Sequence, residues 1–151
     1  MLNKDYIIGL VDGEGSFYAR LNKDKRRRVK VELKFSLKLR QQDKEILEQL
    51  KSFFGCGNIY IQRDKRKNHE TCYRFEVNHR KDIFSKIIPF FETNPPLIES
   101  RKRDFEIFKQ IADSLQQETV DLEKIQTLKD KMHWARSIRE NRTLSGEPVT
   151  N

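Results

Sequence analysis

Between positions 29 and 40 the chain alternates apolar and polar residues without a break. Val29, Val31, Leu33, Phe35, Leu37 and Leu39 are separated by Lys30, Glu32, Lys34, Ser36, Lys38 and Arg40. Side chains of an extended chain point to opposite faces in turn, so this pattern demands a long β-strand with one wholly apolar and one mostly cationic face. The apolar face has to be covered by other elements, and the cationic face is left for water or a polyanion. Upstream, Phe17, Ala19 and Leu21 alternate with Ser16, Tyr18, Arg20 and Asn22, which predicts a half-buried strand over 16–22. The two strands flank the charged turn Lys23-Asp24-Lys25-Arg26-Arg27-Arg28. From Arg20 to Arg40 there are ten Lys or Arg and two acids, a surplus of eight. The whole 151-residue chain has 31 Lys and Arg against 23 Asp and Glu, a net charge of +8, so the excess is concentrated here. A two-stranded ribbon fits the DNA major groove, where Lys, Arg, Glu, Ser and Asn reach base edges. A solvated sheet face that uses Lys against edge pairing is the plainer alternative.

The stretch before the hairpin, Tyr6 to Phe17, combines an apolar helix, small-residue notches and two carboxylates. With Asn3 as N-cap, Lys4 to Asp12 forms a short helix whose Ile7, Leu10 and Val11 face the core. Gly9 and Gly13, spaced four apart, share another face with Tyr6. Each costs helix stability by roughly 1 kcal/mol relative to alanine, a loss that close approach of a second helix offsets. Such spacing is best attested in membranes, and only its steric part applies here. The helix is expected to break at Gly13-Glu14-Gly15, with Glu14 at its end beside the same acid of a second helix. Two carboxylates at a helix crossing suit a shared hard divalent cation such as Mg²⁺, whose charge offsets their repulsion. An ordinary amphipathic helix with a Gly-rich turn is the other reading.

After the hairpin, Asp43 caps a helix with Ile46, Leu47, Leu50, Phe53 and Phe54 as its buried stripe and Gly55 as its stop. Asn58 to Gln62 and Thr71 to Val77 predict a second hairpin across a basic connection over 63–70, with Tyr60, Gln62, Arg74 and Glu76 outward. A helix carrying Ile83, Phe84, Ile87 and Ile88 runs until Pro89 constrains it, and Pro95-Pro96 marks a loop. Two further amphipathic helices follow. Phe105, Phe108, Ile111 or Ala112 and Leu115 define one; Leu122, Ile125, Leu128, Met132 and Ala135, with Trp134 and Ile138 near its end, define the other. Residues 1–138 thus read as one domain and 139–151, nearly devoid of apolar residues, as a flexible tail.

Composition limits the alternatives. With 36% hydrophobic and 36% charged residues the chain is heavily solvated, and it has no apolar run of membrane-spanning length and no basic amphipathic helix. The N-terminus resembles neither a signal peptide nor a transit peptide, so an intracellular protein is expected. Cys56 and Cys72 read as reduced thiols on neighbouring strands rather than a disulfide. His69, His79 and His133 are scattered and predict no zinc site.

Ile8-Gly9-Leu10-Val11-Asp12-Gly13-Glu14-Gly15-Ser16-Phe17 is similar to the signature of the LAGLIDADG homing endonucleases. The similarity continues in order through Phe35 to Gly55, Arg74 to Val77, Ile87-Ile88-Pro89-Phe90-Phe91, Ser100 to Phe108 and Leu128 to Met132, about residues 4–135. The resemblance implies an α+β, αββαββα fold with a four-stranded antiparallel saddle over DNA, here with additional C-terminal helices. It places the motif helices of two subunits at the centre. A single motif implies the homodimeric, group I intron type, so the implied partners are duplex DNA and a second copy, with no membrane and no small-molecule substrate.

The resemblance makes Glu14 the catalytic metal-binding acid, with main-chain carbonyls near Gly13 helping to hold the ion. It makes Gln41 an active-site residue that orients water, with a plain surface amide as the alternative. In Ser100-Arg101-Lys102-Arg103-Asp104-Phe105 a cation should approach the scissile phosphate; the register leaves Arg101 and Lys102 open, with Lys102 preferred. Asp12 fits the helix end or the dimer interface, the latter shared with Tyr6, Gly9 and Gly13. DNA contacts are expected from Tyr18, Arg20, Asn22, Lys25, Arg26, Arg27, Arg28, Lys30, Glu32, Lys34, Ser36, Lys38 and Arg40 of the first hairpin. The second hairpin adds Tyr60, Gln62, Arg63, Lys65, Arg66, Arg74 and Glu76.

The activity so implied is Mg²⁺-dependent, site-specific cutting of double-stranded DNA at a long pseudo-palindromic target, leaving 3′ overhangs, in intron mobility. Mn²⁺ should substitute, and Ca²⁺ should support binding without cleavage. A non-catalytic binder on the same scaffold, either an intron RNA maturase or a transcription regulator, is the alternative, and an assembly protein for ribosomal RNA a more distant one. An organelle-encoded protein (chloroplast or mitochondrion) and a prokaryotic cytoplasmic one fit equally.

Overall fold

The computed structural model describes residues 1–22, 24, 26, 30–63 and 70–132. The sequence-predicted contacts Lys25, Arg27, Arg28, Lys65 and Arg66, the start of the long strand at Val29, and the 139–151 tail lie outside them, as do Trp134, Ala135 and Ile138.

Helix α1 (Lys4–Glu14) opens the chain, with the Asn3 side chain accepting the Tyr6 N–H at 2.8 Å. It does not stop at Asp12 as expected: it runs through Glu14, and Gly15 leaves it directly in extended backbone. Strand β1 (Gly15–Leu21) follows, then β2 (Val31–Arg40). Their antiparallel register pairs Gly15 with Leu37 and Leu21 with Val31, so Asn22 falls just beyond the strand. A 3-10 turn (Gln41–Asp43) enters α2 (Lys44–Phe54). Asp43 stands at the predicted cap position, yet its side chain makes no capping hydrogen bond, because the 3-10 turn already organises the entry. Gly55 ends α2 at φ +65°, as predicted. Strands β3 (Asn58–Gln62) and β4 (Cys72–Val77) complete one sheet in the order β1-β2-β4-β3, antiparallel throughout. The alternating segment is thus an inner strand, paired on both edges, with its apolar face turned to the helices.

After β4 the helices α3 (Arg80–Asp82) and α4 (Ile88–Thr93) are joined by a π-helical stretch, Ile83–Ile87. Pro89 therefore does not end the helix. Proline lacks an N–H and crowds the carbonyl one turn back, and widening the preceding turn relieves both problems, so the helix continues. Helix α5 (Glu99–Leu115) packs on β1, and α6 (Leu122–Asp130) packs on α5. The last helix closes earlier than its apolar pattern suggests, although Met132 beyond it is fully buried.

The helices cover the apolar face. Phe17 is the hub of this core, its ring centroid 5.2–5.4 Å from those of Phe35, Phe91, Phe105 and Phe108. Burying each such ring contributes about 1.5–3 kcal/mol. In α2 only Leu47, Leu50 and Phe54 are buried; Ile46 is half-buried and Phe53 exposed, packed edge-on against Phe90. The two cysteines are free thiols, but Cys56 lies in the turn before β3 and not on a strand. Burial, then the nearby Asp82 carboxylate, push its pKa up, with Lys86 acting in the other direction.

Candidate active site and nucleic-acid interface

Both ends of α1 are fixed by side-chain hydrogen bonds, and the second is the more informative. The Asp12 carboxylate accepts the backbone N–H of Leu97 at 3.0 and 3.2 Å and that of Ile98 at 3.1 Å. Ile98 immediately precedes α5, so Asp12 closes the N-terminus of α5 from across the fold. The first turn of α5 carries Arg101 and Lys102, and this contact holds that turn beside the end of α1, where Glu14 lies. Lys102 is exposed. Arg101 is half-buried, and its Nε is enclosed without a hydrogen-bond partner.

Glu14 is the last residue of α1 and is exposed. Among the described residues no hydrogen bond or ion pair engages it. The Gly15 N–H takes the carbonyl of Val11, while the carbonyls that follow, including that of Gly13, have no donor within the helix. A helix C-terminus carries partial negative charge, and this one has no basic residue in its last turn. The end of the helix therefore offers a carboxylate and several carbonyl oxygens with no basic residue of its own, a donor set suited to a hard divalent ion. Among the described residues no group of three His, Cys, Asp or Glu side chains comes together.

The same helix presents its glycines outward. Gly9 and Gly13 are exposed, and a Cβ built on either meets nothing within 4 Å, so nothing inside this chain calls for glycine there. Tyr6 on that face is 47% exposed.

Gln41 leaves β2 at the end of the sheet where β1 begins, because Gly15 pairs with Leu37. Four residues of strand put Gln41 about 13 Å beyond that pair along the strand. Its N–H is anchored on the Thr71 carbonyl at 3.0 Å, and its side chain is exposed.

The polar face of the sheet is continuous across all four strands. Register places Tyr18 opposite Lys34, Arg20 opposite Glu32 and Ser16 opposite Ser36. Further across, Lys38, Arg74 and Tyr60 form one row; Ser36, Glu76 and Asn58 a second; and Arg40, Cys72 and Gln62 a third. The Lys34 ammonium sits 5.0 Å from the centroid of the Tyr18 ring. Arg40 pairs with Glu70 at 3.5 Å, and the exposed Arg26 pairs weakly with Asp24 at 3.9 Å. Asn22 accepts the Asp24 N–H and takes the Lys30 carbonyl with its own N–H, while its Nδ2 is enclosed without a partner. Lys30 and Arg63 are exposed beyond the strand ends.

One group escaped the sequence reading. Asn78, His79, Arg80 and Lys81, just past β4, line a recess of about 530 Å³ with Tyr18, Arg20, Glu32, Lys34 and Glu76. The alternation Arg74, Glu76, Asn78 continues one step beyond the strand and was the signal available. Arg80 is anchored by donating to the Val31 carbonyl at 3.0 Å. No described helix is long and apolar enough to cross a membrane.

Residues 7–112 match the family model described as LAGLIDADG endonuclease. "Probable intron-encoded DNA endonuclease 1" of Mycosarcoma maydis is 30% identical over 104 residues, covering 69% of this chain and 35% of that protein. "Homing endonuclease I-ApeII" of Aeropyrum pernix is 30% identical over 112 residues, covering 73% and 62%. The chain therefore spans less than two thirds of the length of these curated relatives. Among solved structures, the crystal structure of the homing endonuclease I-TnaI superposes with a TM-score of 0.72 at 31% identity, covering 95% of this chain and 97% of that one. I-SmaMI bound to uncleaved DNA target in the presence of calcium ions superposes with a TM-score of 0.75 at 28% identity, but the match covers only 46% of that chain. The fold, the order of its elements and the motif at the end of α1 agree with these likenesses, and the chain belongs to the LAGLIDADG homing endonuclease family.

Proposed function

We propose that this chain is a homodimeric, Mg²⁺-dependent, site-specific endonuclease that cuts both strands of a long, pseudo-palindromic DNA target. Cleavage leaves short 3′ overhangs and serves intron mobility. The observation that carries this reading is the exposed, unengaged Glu14 at the end of a helix whose glycine face is open. Two copies packed through Gly9 and Gly13 bring two Glu14 carboxylates and two sets of helix-end carbonyls to the axis of the dimer. That donor set, all oxygen, fits Mg²⁺ or Mn²⁺, with Ca²⁺ supporting binding alone. I-SmaMI, whose chain is about twice the length matched here, is consistent with two such units acting together.

In hydrolysis a water oxygen bonds to phosphorus, one P–O bond breaks, and the leaving oxygen acquires a proton. A divalent cation, when bound, neutralises phosphate charge and eases deprotonation of water. Glu14 and the Gly13 carbonyl would hold it. Gln41, anchored through its backbone at the same end of the sheet, accepts from and orients the attacking water. Arg101 or Lys102, brought to the end of α1 by the Asp12 contact, offers positive charge to the scissile phosphate. Lys102 is exposed and remains the preferred candidate, with Arg101, half-buried beside it, the alternative. The cationic sheet positions the duplex through phosphate contacts and reads base edges in the major groove.

Glu14→Gln is the direct test. It keeps size and hydrogen bonding but removes the charge, and should abolish Mg²⁺-dependent cleavage while DNA binding in Ca²⁺ is retained. Cleavage at the wild-type rate by this variant would remove Glu14 from the site.

A further inference from the structure

A carboxylate in a surface built to meet phosphates weakens the attraction to them, yet Glu76 stands near the middle of the polar face, between Ser36 and Asn58. It is the least accessible member of its cluster: its side chain is 14% exposed, against 28% for Lys34 and 33% for Arg74. A single oxygen, Oε1, receives both cations, Arg74 Nη1 at 3.2 Å and Lys34 Nζ at 3.5 Å. The other arm of Arg74 is also committed, with Nη2 donating to Gln62 Oε1 at 2.7 Å. The guanidinium is thus held between Glu76 and Gln62, and the contact uses the oxygen of the Gln62 amide.

Without this clamp, Lys34 and Arg74 are long, flexible cations whose nearest targets on a duplex are phosphates, contacts that carry no sequence information. With it, Arg74 keeps a fixed orientation and presents its remaining N–H donors as a set, the arrangement that suits guanine N7 and O6. Gln62, with one of its two oxygen lone pairs engaged by Arg74, keeps both N–H donors for base acceptors. We infer that Glu76 is a specificity-determining positioning residue, one that touches no base itself but holds Arg74 and Lys34 to base edges and off the DNA backbone. The inference rests on the endonuclease reading above and adds a trade: non-specific affinity is given up for discrimination.

The test is selection from a randomised duplex DNA library in Ca²⁺, with wild type, Glu76→Gln, Arg74→Lys and Arg74→Ala, followed by binding of selected and arbitrary duplexes at several salt concentrations. Glu76 lies on the solvated face, and Gln is isosteric, so the fold should persist. Arg74→Lys keeps the charge without the fork and serves as the second variant. Arg74→Ala marks the base positions that depend on Arg74. Expected for Glu76→Gln is roughly tenfold weaker base preference at those positions. Tighter binding to arbitrary duplex and a salt slope steeper by about one unit per subunit should accompany it. Arg74→Lys should blur the same positions without the steeper slope. Unchanged preference in Glu76→Gln, or uniform weakening on all sequences with preference intact, would overturn the inference. Absence of any sequence-selective binding by wild type would instead overturn the endonuclease reading, and the inference with it.

Discussion

Asp12 ties two helix ends together across the fold. Three contacts of 3.0–3.2 Å from its carboxylate to the Leu97 and Ile98 amides tie the end of α1, which Glu14 closes, to the start of α5. Asp12→Ala should lower stability by about 1 kcal/mol, the usual worth of a lost helix cap, read as a lower denaturant midpoint at unchanged slope. Asp12→Asn, which keeps an acceptor, should lose less. Equal midpoints for wild type and Asp12→Ala would mean that the contact contributes nothing. The sequence already assigned Asp12 to a helix end or an interface, but the helix it closes lies 85 residues away. Local spacing carries no information about a partner so distant. Residues whose role depends only on the two-residue period of a strand were legible: Tyr18, Lys34, Lys38, Arg74 and Gln62 all stand on the polar face.

Among elements, the edge strand depends on a residue outside it. Gly57 has φ +90°, and a Cβ there would come within 2.5 Å of the Phe75 ring and 2.9 Å of the Glu76 carbonyl. Gly57→Ala should therefore destabilise by about 1–3 kcal/mol and loosen β3, detected as faster amide exchange over Asn58–Gln62 than over β2. Uniform exchange with an unchanged midpoint would contradict this. Strands and their faces were readable because alternation is unambiguous over ten residues; register and sheet order, which depend on partners distant in the chain, were not. Helix ends were less so. Pro89 reads locally as a stop, but Ile87, Ile88 and Phe91 are all buried on one side, and continued burial outweighs the proline through a π-helical turn. Phe53 and Ile46 have the spacing of a core stripe, yet Ile46 is half-buried and Phe53 exposed, a difference that local spacing does not carry.

For the molecule as a whole, the claim to test is that one chain is half of a site. Gly9 faces open space, so Gly9→Leu meets nothing inside the chain and should raise helix stability by roughly 1 kcal/mol. Across a dimer, four added carbons separate the helices. Sedimentation should show the variant as a folded monomer without cleavage activity, and a dimer of wild-type affinity would place the interface elsewhere. In the sequence the proposed partner is legible only as a conflict, two glycines in a helix with no reason inside the described chain to be there.

The most direct measurement is incubation of the purified protein with a randomised double-stranded DNA library, with Mg²⁺ and with Ca²⁺ in parallel, and sequencing of the ends produced. Nearly palindromic sites cut on both strands with Mg²⁺, and bound but uncut with Ca²⁺, are the predicted result. Tight, selective binding with no cutting in either ion would contradict the assignment of Glu14 to a catalytic metal site and leave a DNA-binding protein on the endonuclease scaffold.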